Sequence, residues 1–452
     1  MIKRLMSWLG QFLFRGNGII PTSRFLLVFV FLSLLLLIGT IWGVSWKFVI
    51  TVNLLIIFVS LLDLTISAKR SELTFKRTFP EEMERARPYQ IDIEITNLSN
   101  YPLRFQVIDG IPQSFARPFP LSGEMQKESK TVVTYETKAS VRGEYEVNKL
   151  YIRYKSLLGF WEKQRIVHLP GIIKVIPDLS ETKQLLESPQ QYLLFEGQKI
   201  RKQKSGVGEF AKIRRYAVGD DPRKINWRQT AKLRDVMVNE HEPEHGKYVT
   251  ILIDCGRVMG AELTHCNRLE KSIEAAITVA AAALRNGDYV SVLAFSRDVN
   301  VFVPPAKGMN HLKTILQSIY HIQVDASESN YGAVFHYVQT VQKKRSMLLL
   351  FSDVHTFLHE EAALTYLKRL QKRHKFFVIG IEDEVLLKRI KDEPVNVQTA
   401  MVKSMAQQQW LMKKREKLKW EKQGLQMLEA REEKLAATAV TYYIDTMNRG
   451  LV

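Results

Sequence analysis

The sequence predicts a multidomain chain. An N-terminal transmembrane helical hairpin comes first, then an antiparallel β-sandwich of immunoglobulin-like size. An α/β domain follows, with a mostly parallel sheet covered by helices on both faces. Three observations lead there. Two apolar runs near the start, Phe25–Trp42 and Phe48–Ile66, are each long enough to cross a bilayer as a helix. From about residue 72 to 178 the hydrophobic pattern has a period near two, the repeat of half-buried strands. From Tyr248 onward, apolar runs of strand length alternate with helical patterns, which points to a parallel sheet buried on both sides.

A chain of 452 residues is too long for one average domain, so two or three units are expected. A composition of 46% hydrophobic and 25% charged residues is that of a folded protein. Its two cysteines, Cys255 and Cys266, cannot build a disulfide framework and suit a reducing compartment. The net charge of +18 fits a nucleic-acid surface, an anionic membrane surface or an acidic protein partner.

The N-terminus narrows that choice. Phe25–Trp42 carries no charge, and Phe48–Ile66 is interrupted only by Asn53 and Asp63. No small-residue cleavage site follows the first run and a second run comes at once, which argues against a cleaved signal peptide. Lys3, Arg4, Arg15 and Arg24 precede the hairpin, Lys69, Arg70, Lys76 and Arg77 follow it, and the link holds only Lys47. The positive-inside rule then places residues 1–24 and everything after about residue 70 in the cytoplasm, giving a cell-membrane protein with two spans. Asn53 either bonds a neighbouring helix or is a single tolerated amide. Asp63 is expected to reach headgroup water.

In the β domain, residues 72–178, the clearest strands are Ile91–Ile95, Val132–Tyr135, Tyr145–Val147 and Leu150–Tyr154, separated by turns at Asn97–Pro102, Arg142-Gly143, Leu158-Gly159 and Pro170-Gly171. None of its residues looks chemical, so a spacer or docking role is expected.

Residues 180–246 form a connector rich in lysine and arginine, including Lys199, Arg201, Lys202 and Lys204, with Phe210, Tyr216 and Trp227 interleaved. The α/β domain, residues 247–452, opens with strand Val249–Ile253 and a helix capped by Asn267 with Glu270 three places on. Strand Tyr289–Phe295 and edge strand Val299–Val303, ending before Pro304-Pro305, come next. Helices near 308–321 and 331–343 lead to strand Met347–Phe351, a helix near 358–372 and strand Phe376–Ile381. A long basic helix near 400–423, a short strand Leu425–Leu428 and a last helix to about Asn448 complete it.

The run Gly208-Glu209-Phe210, Ile213-Arg214-Arg215-Tyr216, Gly219-Asp220-Asp221-Pro222-Arg223-Lys224-Ile225-Asn226-Trp227-Arg228 and Thr230-Ala231-Lys232 resembles the signature of bacterial proteins carrying domain of unknown function 58. The family's usual Ser-Ala-Arg ending appears here as Thr-Ala-Lys. The resemblance extends over the whole chain and implies a von Willebrand factor A-like α/β domain. It also implies a non-enzymatic membrane-anchored partner of a MoxR-type AAA+ ATPase, encoded beside a membrane protein with a transglutaminase-like domain.

The same resemblance raises a metal question. The von Willebrand A fold often holds Mg²⁺ on an Asp-x-Ser-x-Ser loop, a threonine and a further aspartate, because hard cations need oxygen ligands. Here Asp254 and Asp353 match, Asn330 falls at the threonine position with Ser329 a poorer substitute, and Gly256 and Val258 stand where serines belong. The alternatives are that Asp254 and Asp353 bond loop N–H groups, or that the altered edge recognises a partner by shape without metal. A Mg²⁺-dependent adhesion-type ligand-binding module is thus the second functional reading.

The candidate partner-binding residues lie in the connector: Arg214, Tyr216, Asp220, Asp221, Arg223, Trp227 and Arg228. Pro222 presets a turn, one of the two aspartates caps the Arg223–Trp227 segment, and tryptophan and arginine dominate interface hot spots. The competing reading packs Trp227 into the α/β core. His355 and His359 stand four apart, as zinc ligands can, but no protease glutamate lies between them, so surface or capping roles are preferred. The segment His241–His245 reads as a turn because of Pro243. Nucleic-acid binding is disfavoured because no zinc finger or RNP sequence is present. Enzymatic activity is not expected, since no phosphate loop, Ser/His/Asp order or carboxylate pair is visible.

Overall fold

The computed structural model describes residues 18–187, 209–218, 220–242, 246–264 and 266–449. The chain divides into two compact units, Met1–Ile176 and Pro177–Val452, so the fold is a pair of apolar helices with a β-rich region, followed by an α/β region.

The first unit opens with a short strand β1 (Ile19–Pro21) and helices α1 (Ser23–Ile41) and α2 (Trp46–Ile66). Both helices are long and apolar enough to cross a membrane. Thr22 caps α1 by accepting the Phe25 N–H at 3.3 Å. Asn53 accepts the Ser33 hydroxyl across the helix pair at 2.6 Å and donates back to the Val49 carbonyl at 2.9 Å. Its amide is thereby satisfied within the helix pair.

Ten further strands follow: β2 (Leu73–Thr78), β3 (Glu82–Glu84), β4 (Pro88–Asn97), β5 (Leu103–Asp109), β6 (Leu121–Met125), β7 (Lys130–Lys138), β8 (Gly143–Glu146), β9 (Lys149–Lys155), β10 (Trp161–His168) and β11 (Ile172–Ile176). They form sheets ordered β1–β10–β9–β5–β6, β2–β4–β7 and β3–β11–β8. All pairings are antiparallel except β3 with β11. The period-two pattern is used as the pleat requires: Ile91, Ile93 and Ile95 of β4 and Leu150, Ile152 and Tyr154 of β9 point into one core. Burial lifts the Tyr154 hydroxyl to a pKa of about 12.

The second unit begins with α3 (Ser180–Glu187), then a hairpin of β12 (Glu209–Arg215) and β13 (Met237–Glu242) that encloses the short helix α4 (Trp227–Leu233). The α/β body contains β14 (Tyr248–Asp254), α5 (Arg268–Arg285), β15 (Tyr289–Phe295), β16 (Val299–Ala306), α6 (Met309–Ile319), α7 (Tyr331–Val341), β17 (Ser346–Phe351), α8 (Val354–Leu358), α9 (Glu361–Gln371), β18 (Lys375–Ile381), α10 (Glu384–Lys391), α11 (Val397–Glu421), β19 (Gln426–Ala430) and α12 (Leu435–Asn448).

The sheet order is β16–β15–β14–β17–β18–β19, with β16 antiparallel and the rest parallel. Strands buried on both faces serve two cores. Ile251, Ile253, Val292 and Leu349 pack with α5, α6 and α12 on one face. Leu252, Leu293, Leu350 and Val378 pack with α7, α8, α9 and Trp420 of α11 on the other.

Several expectations are corrected. Strand β16 runs on through Pro304 and Pro305, which is tolerable because it pairs only with β15 and has a free side. The helix expected near 358–372 is α9, and the short helix α8 before it is additional. Helix α10 was not foreseen, since eight residues hold too few apolar positions to declare a period.

Asp63 does not reach headgroup water. It is 3% exposed, and its oxygens accept the Ser156 hydroxyl at 2.5 Å, the Leu158 N–H at 2.9 Å and the Phe160 N–H at 3.3 Å.

Candidate functional site

At the carboxyl ends of the parallel strands, where open α/β sheets place their sites, the chain gathers a buried hydrogen-bonded cluster around Asp254. The carboxylate is 2% exposed. Oδ1 accepts the Gly256 N–H at 2.9 Å in an Asx turn and the Ser329 hydroxyl. Oδ2 accepts the Ser352 hydroxyl at 2.6 Å and the Tyr331 hydroxyl at 2.9 Å. Tyr331 and Ser352 also bond each other at 2.8 Å.

Burial drives the Asp254 pKa above the usual carboxylate range, and the four donors counteract only part of that rise. Tyr331 is raised well above its ordinary value, first by burial and then by the Asp254 charge. Phe295 and Phe357 meet its ring edge-on at centroid distances of 5.9 and 5.2 Å, fixing it in place.

The other two residues of the expected metal set have separate tasks. Asn330 caps α7 by accepting the Ala333 N–H at 3.0 Å. Asp353 caps α8 through the Thr356 N–H at 2.9 Å and hydroxyl at 2.8 Å, and it pairs with the Arg268 guanidinium. An internal cation thus faces Asp353, and the Asp254 oxygens are engaged by three hydroxyls and the Gly256 N–H. Gly256 and Val258 supply no side-chain oxygen. This donor set does not fit a magnesium ion held by Asp254, Asn330 and Asp353.

Ser329, the poorer substitute by sequence, is the residue that touches Asp254, whereas Asn330 does not. A Cβ on Gly256 would overlap the Ser329 hydroxyl, so glycine there is what admits Ser329. Restoring the familiar serine, Gly256→Ser, should cost about 1–3 kcal/mol as an overpacking change. It should also produce no Mg²⁺ binding. An unshifted urea midpoint together with Mg²⁺ heat in calorimetry would contradict both halves.

His355 and His359 lie edge to face at 4.8 Å between ring centroids, with His355 held below its usual pKa by burial. Among the described residues no group of three or more His, Cys, Asp or Glu is arranged to hold a metal. Residues 243–245 of the His241–His245 segment, like Lys199, Arg201, Lys202, Lys204, Gly208 and Gly219, lie outside the described residues.

The connector signature is folded. Arg214 forks onto Asp220, with Nη1 to Oδ2 at 2.7 Å and Nη2 to Oδ1 at 2.6 Å. That pairing, with the Ala217 N–H, holds the Asp220 carboxyl below its usual range. The Tyr216 hydroxyl reaches the Asp220 carbonyl at 3.3 Å. Asp221 caps the turn at Pro222 by accepting the Arg223 N–H at 3.0 Å, and Asn226 caps α4 through the Gln229 N–H at 3.1 Å.

This scaffold presents Trp227 with 71% of its surface exposed. Trp227 is therefore not a core residue. Arg223 and Arg228 are exposed beside it and form no ion pair with another described residue.

Two apolar helices, a β-rich region and an α/β region with an exposed Arg–Trp hairpin define the class of protein. Residues 212–403 match the profile of a family described as protein of unknown function DUF58, a span that holds both the hairpin and the Asp254 cluster. The chain is 24% identical over 203 residues to the uncharacterized protein YeaD of Bacillus subtilis (strain 168). That alignment covers 45% of this chain and 48% of YeaD, so the chain spans about half the length of the curated relative it matches.

Among solved structures, it is similar to the conserved hypothetical protein BatB from Bacteroides thetaiotaomicron, at 17% identity and TM-score 0.31 over 45% of this chain and 100% of that one. It is also similar to native alpha-2-macroglobulin from Escherichia coli, at 20% identity and TM-score 0.21 over 25% of this chain and 17% of that one. Scores this low carry no argument about fold or function.

Proposed function

We propose that this chain is a non-enzymatic, membrane-anchored interaction protein whose partner is a MoxR-type AAA+ ATPase, acting in assembly or maturation of envelope proteins. The observation that carries the reading is the solvent-exposed Trp227 on a preorganised hairpin, flanked by Arg223 and Arg228. Trp and Arg are enriched among the residues that carry most of an interface's binding energy. The Arg214–Asp220 fork and the Asp221 and Asn226 caps set the hairpin's shape beforehand, which lowers the ordering cost of binding.

A second exposed surface accompanies it. Val397, Met401, Met405 and Met412 follow one another along a face of α11, and methionine surfaces adapt to partners. In this reading the α/β region is von Willebrand factor A-like and works without metal, and the β-rich region is an immunoglobulin-like spacer. Both soluble regions face the cytoplasm, and a transglutaminase-like membrane protein is a further candidate partner.

The test uses the full chain in detergent and a purified MoxR-type AAA+ ATPase. Trp227→Ala should weaken binding by roughly thirtyfold or more, matching the ≥2 kcal/mol of a hot spot. Arg223→Glu should weaken it as well. Unchanged affinity in both variants would remove the signature from the interface, and no binding by the wild type would remove the partner.

A further inference from the structure

The turn between β9 and β10 carries two exposed leucines, Leu157 at 48% and Leu158 at 57%, where antiparallel hairpin tips normally carry polar residues. The chain bolts this turn to the ends of both apolar helices. Asp63, three residues before the end of α2, accepts the Leu158 and Phe160 N–H groups and the Ser156 hydroxyl. The Trp161 indole donates to the Ser60 carbonyl at 2.8 Å, and the Lys163 ammonium to the Ser67 and Ala68 carbonyls at 3.2 and 3.1 Å.

On the other helix, Thr22 donates its hydroxyl to the Gly159 carbonyl at 2.6 Å and its N–H to the Phe160 carbonyl at 2.9 Å. Phe25 packs on Phe160 and Trp161 at 5.5 and 5.8 Å. These bonds fix the depth of the turn. At a 1.5 Å rise per residue, α1 and α2 are each about 30 Å long, the thickness of a bilayer's hydrocarbon. Their ends therefore mark its boundary, and Leu158 is bonded at the level of Asp63, about one helical turn inside the apolar segment.

We propose that Leu157 and Leu158 are a third membrane contact, inserted into the acyl boundary of the leaflet that borders the β-rich region. The inference rests on the reading that α1 and α2 span a bilayer. Buried Asp63 is then a positioning residue: with its charge satisfied by the turn, it locks the β-rich region to the helix pair, so the leucines enter lipid together with the hairpin. A lipid surface is the occupant because the turn is held at the lipid boundary by the apolar helices themselves.

The test places nitroxide labels in the full chain, reconstituted in phosphatidylcholine–phosphatidylglycerol vesicles. Cys266→Ser removes the partly exposed thiol and Cys255 is buried. Labels go on Leu157→Cys, Leu158→Cys, Leu35→Cys in mid-span and Glu124→Cys in solvent. The result expected is a high oxygen and low nickel-chelate accessibility at 157 and 158, on the side of position 35 and opposite to position 124. Water-like values at both turn positions with lipid-like values at 35 overturn this proposal alone. Water-like values at 35 overturn the membrane-spanning reading and this one with it.

Discussion

Asp254→Ala should destabilise the second unit by about 2–4 kcal/mol, the cost of leaving the partners of a buried carboxyl group unsatisfied. The carboxyl group is the shared acceptor of three hydroxyls and one backbone N–H; truncation strands the Gly256 N–H and the Ser329 hydroxyl, and leaves Tyr331 and Ser352 only their bond to each other. Each stranded polar group costs about 1–3 kcal/mol before relaxation. Hydrogen exchange, read strand by strand, is the measurement: protection should fall across β14, β17 and α7 and stay unchanged in the first unit. Protection within about 0.5 kcal/mol of wild type, the ordinary range for a peripheral surface change, would mean the cluster is ornamental.

The pH dependence has a definite sign. Because burial raises the Asp254 pKa above its unfolded value of 3.8, the native state keeps a proton over a window in which the unfolded chain has released it. Stability therefore falls as pH rises through that window. Asp254→Asn carries no such proton, so its cost relative to wild type should be greatest near the unfolded value and shrink towards neutrality. A pulse-proteolysis series in urea reads this directly, and a cost that grows with pH would overturn it.

What could be read beforehand, and what could not, depends on the range of the forces. The strands of the α/β region announced themselves because burial on both faces favours near-continuous apolar runs, as in Val249–Ile253 and Tyr289–Phe295, whose polar Thr250 and Ser291 bond each other at 2.9 Å. Asp254 was visible as the polar end of such a strand. Its partners were not: Ser329, Tyr331 and Ser352 lie 75, 77 and 98 residues away. Only the packing of three loops at one sheet edge brings them together.

The hints were Ser352, directly before Asp353, and Ser329, a poorer substitute beside Asn330. Asp63 tells the same story, since a carboxylate near a helix end looks water-facing until Ser156, 93 residues on, folds back to it. The exposure of Trp227 was equally hidden, because residue type alone is compatible with a core or an interface.

The β-rich region hides its chemistry most completely, and its central ion pair gives the other large expected effect. Arg77 on β2 and Asp109 at the end of β5 meet at 2.6 Å with side chains only 2% and 0% exposed. Asp109 also accepts the Tyr135 hydroxyl at 2.8 Å, and Arg77 donates to the carbonyls of Val147 and Leu169. Burial and the Asp109 charge keep Tyr135 protonated far above neutrality, so it stays a donor at every physiological pH.

Removing either charge alone leaves the other unpaired in a dry core, and Asp109→Ala or Arg77→Met should each cost about 3–5 kcal/mol. Arg77→Met should be at the upper end, because it also strands two backbone carbonyls. The double variant Arg77→Met/Asp109→Leu should lose less than the sum of the single losses, since hydrophobic replacement of a whole buried pair is often nearly neutral. Hydrogen exchange in β2, β5 and β9 measures all three. Additive losses would show that the two side chains act independently, and a single-variant loss below about 1 kcal/mol, in the range of an exposed pair, would show that the pair is solvated.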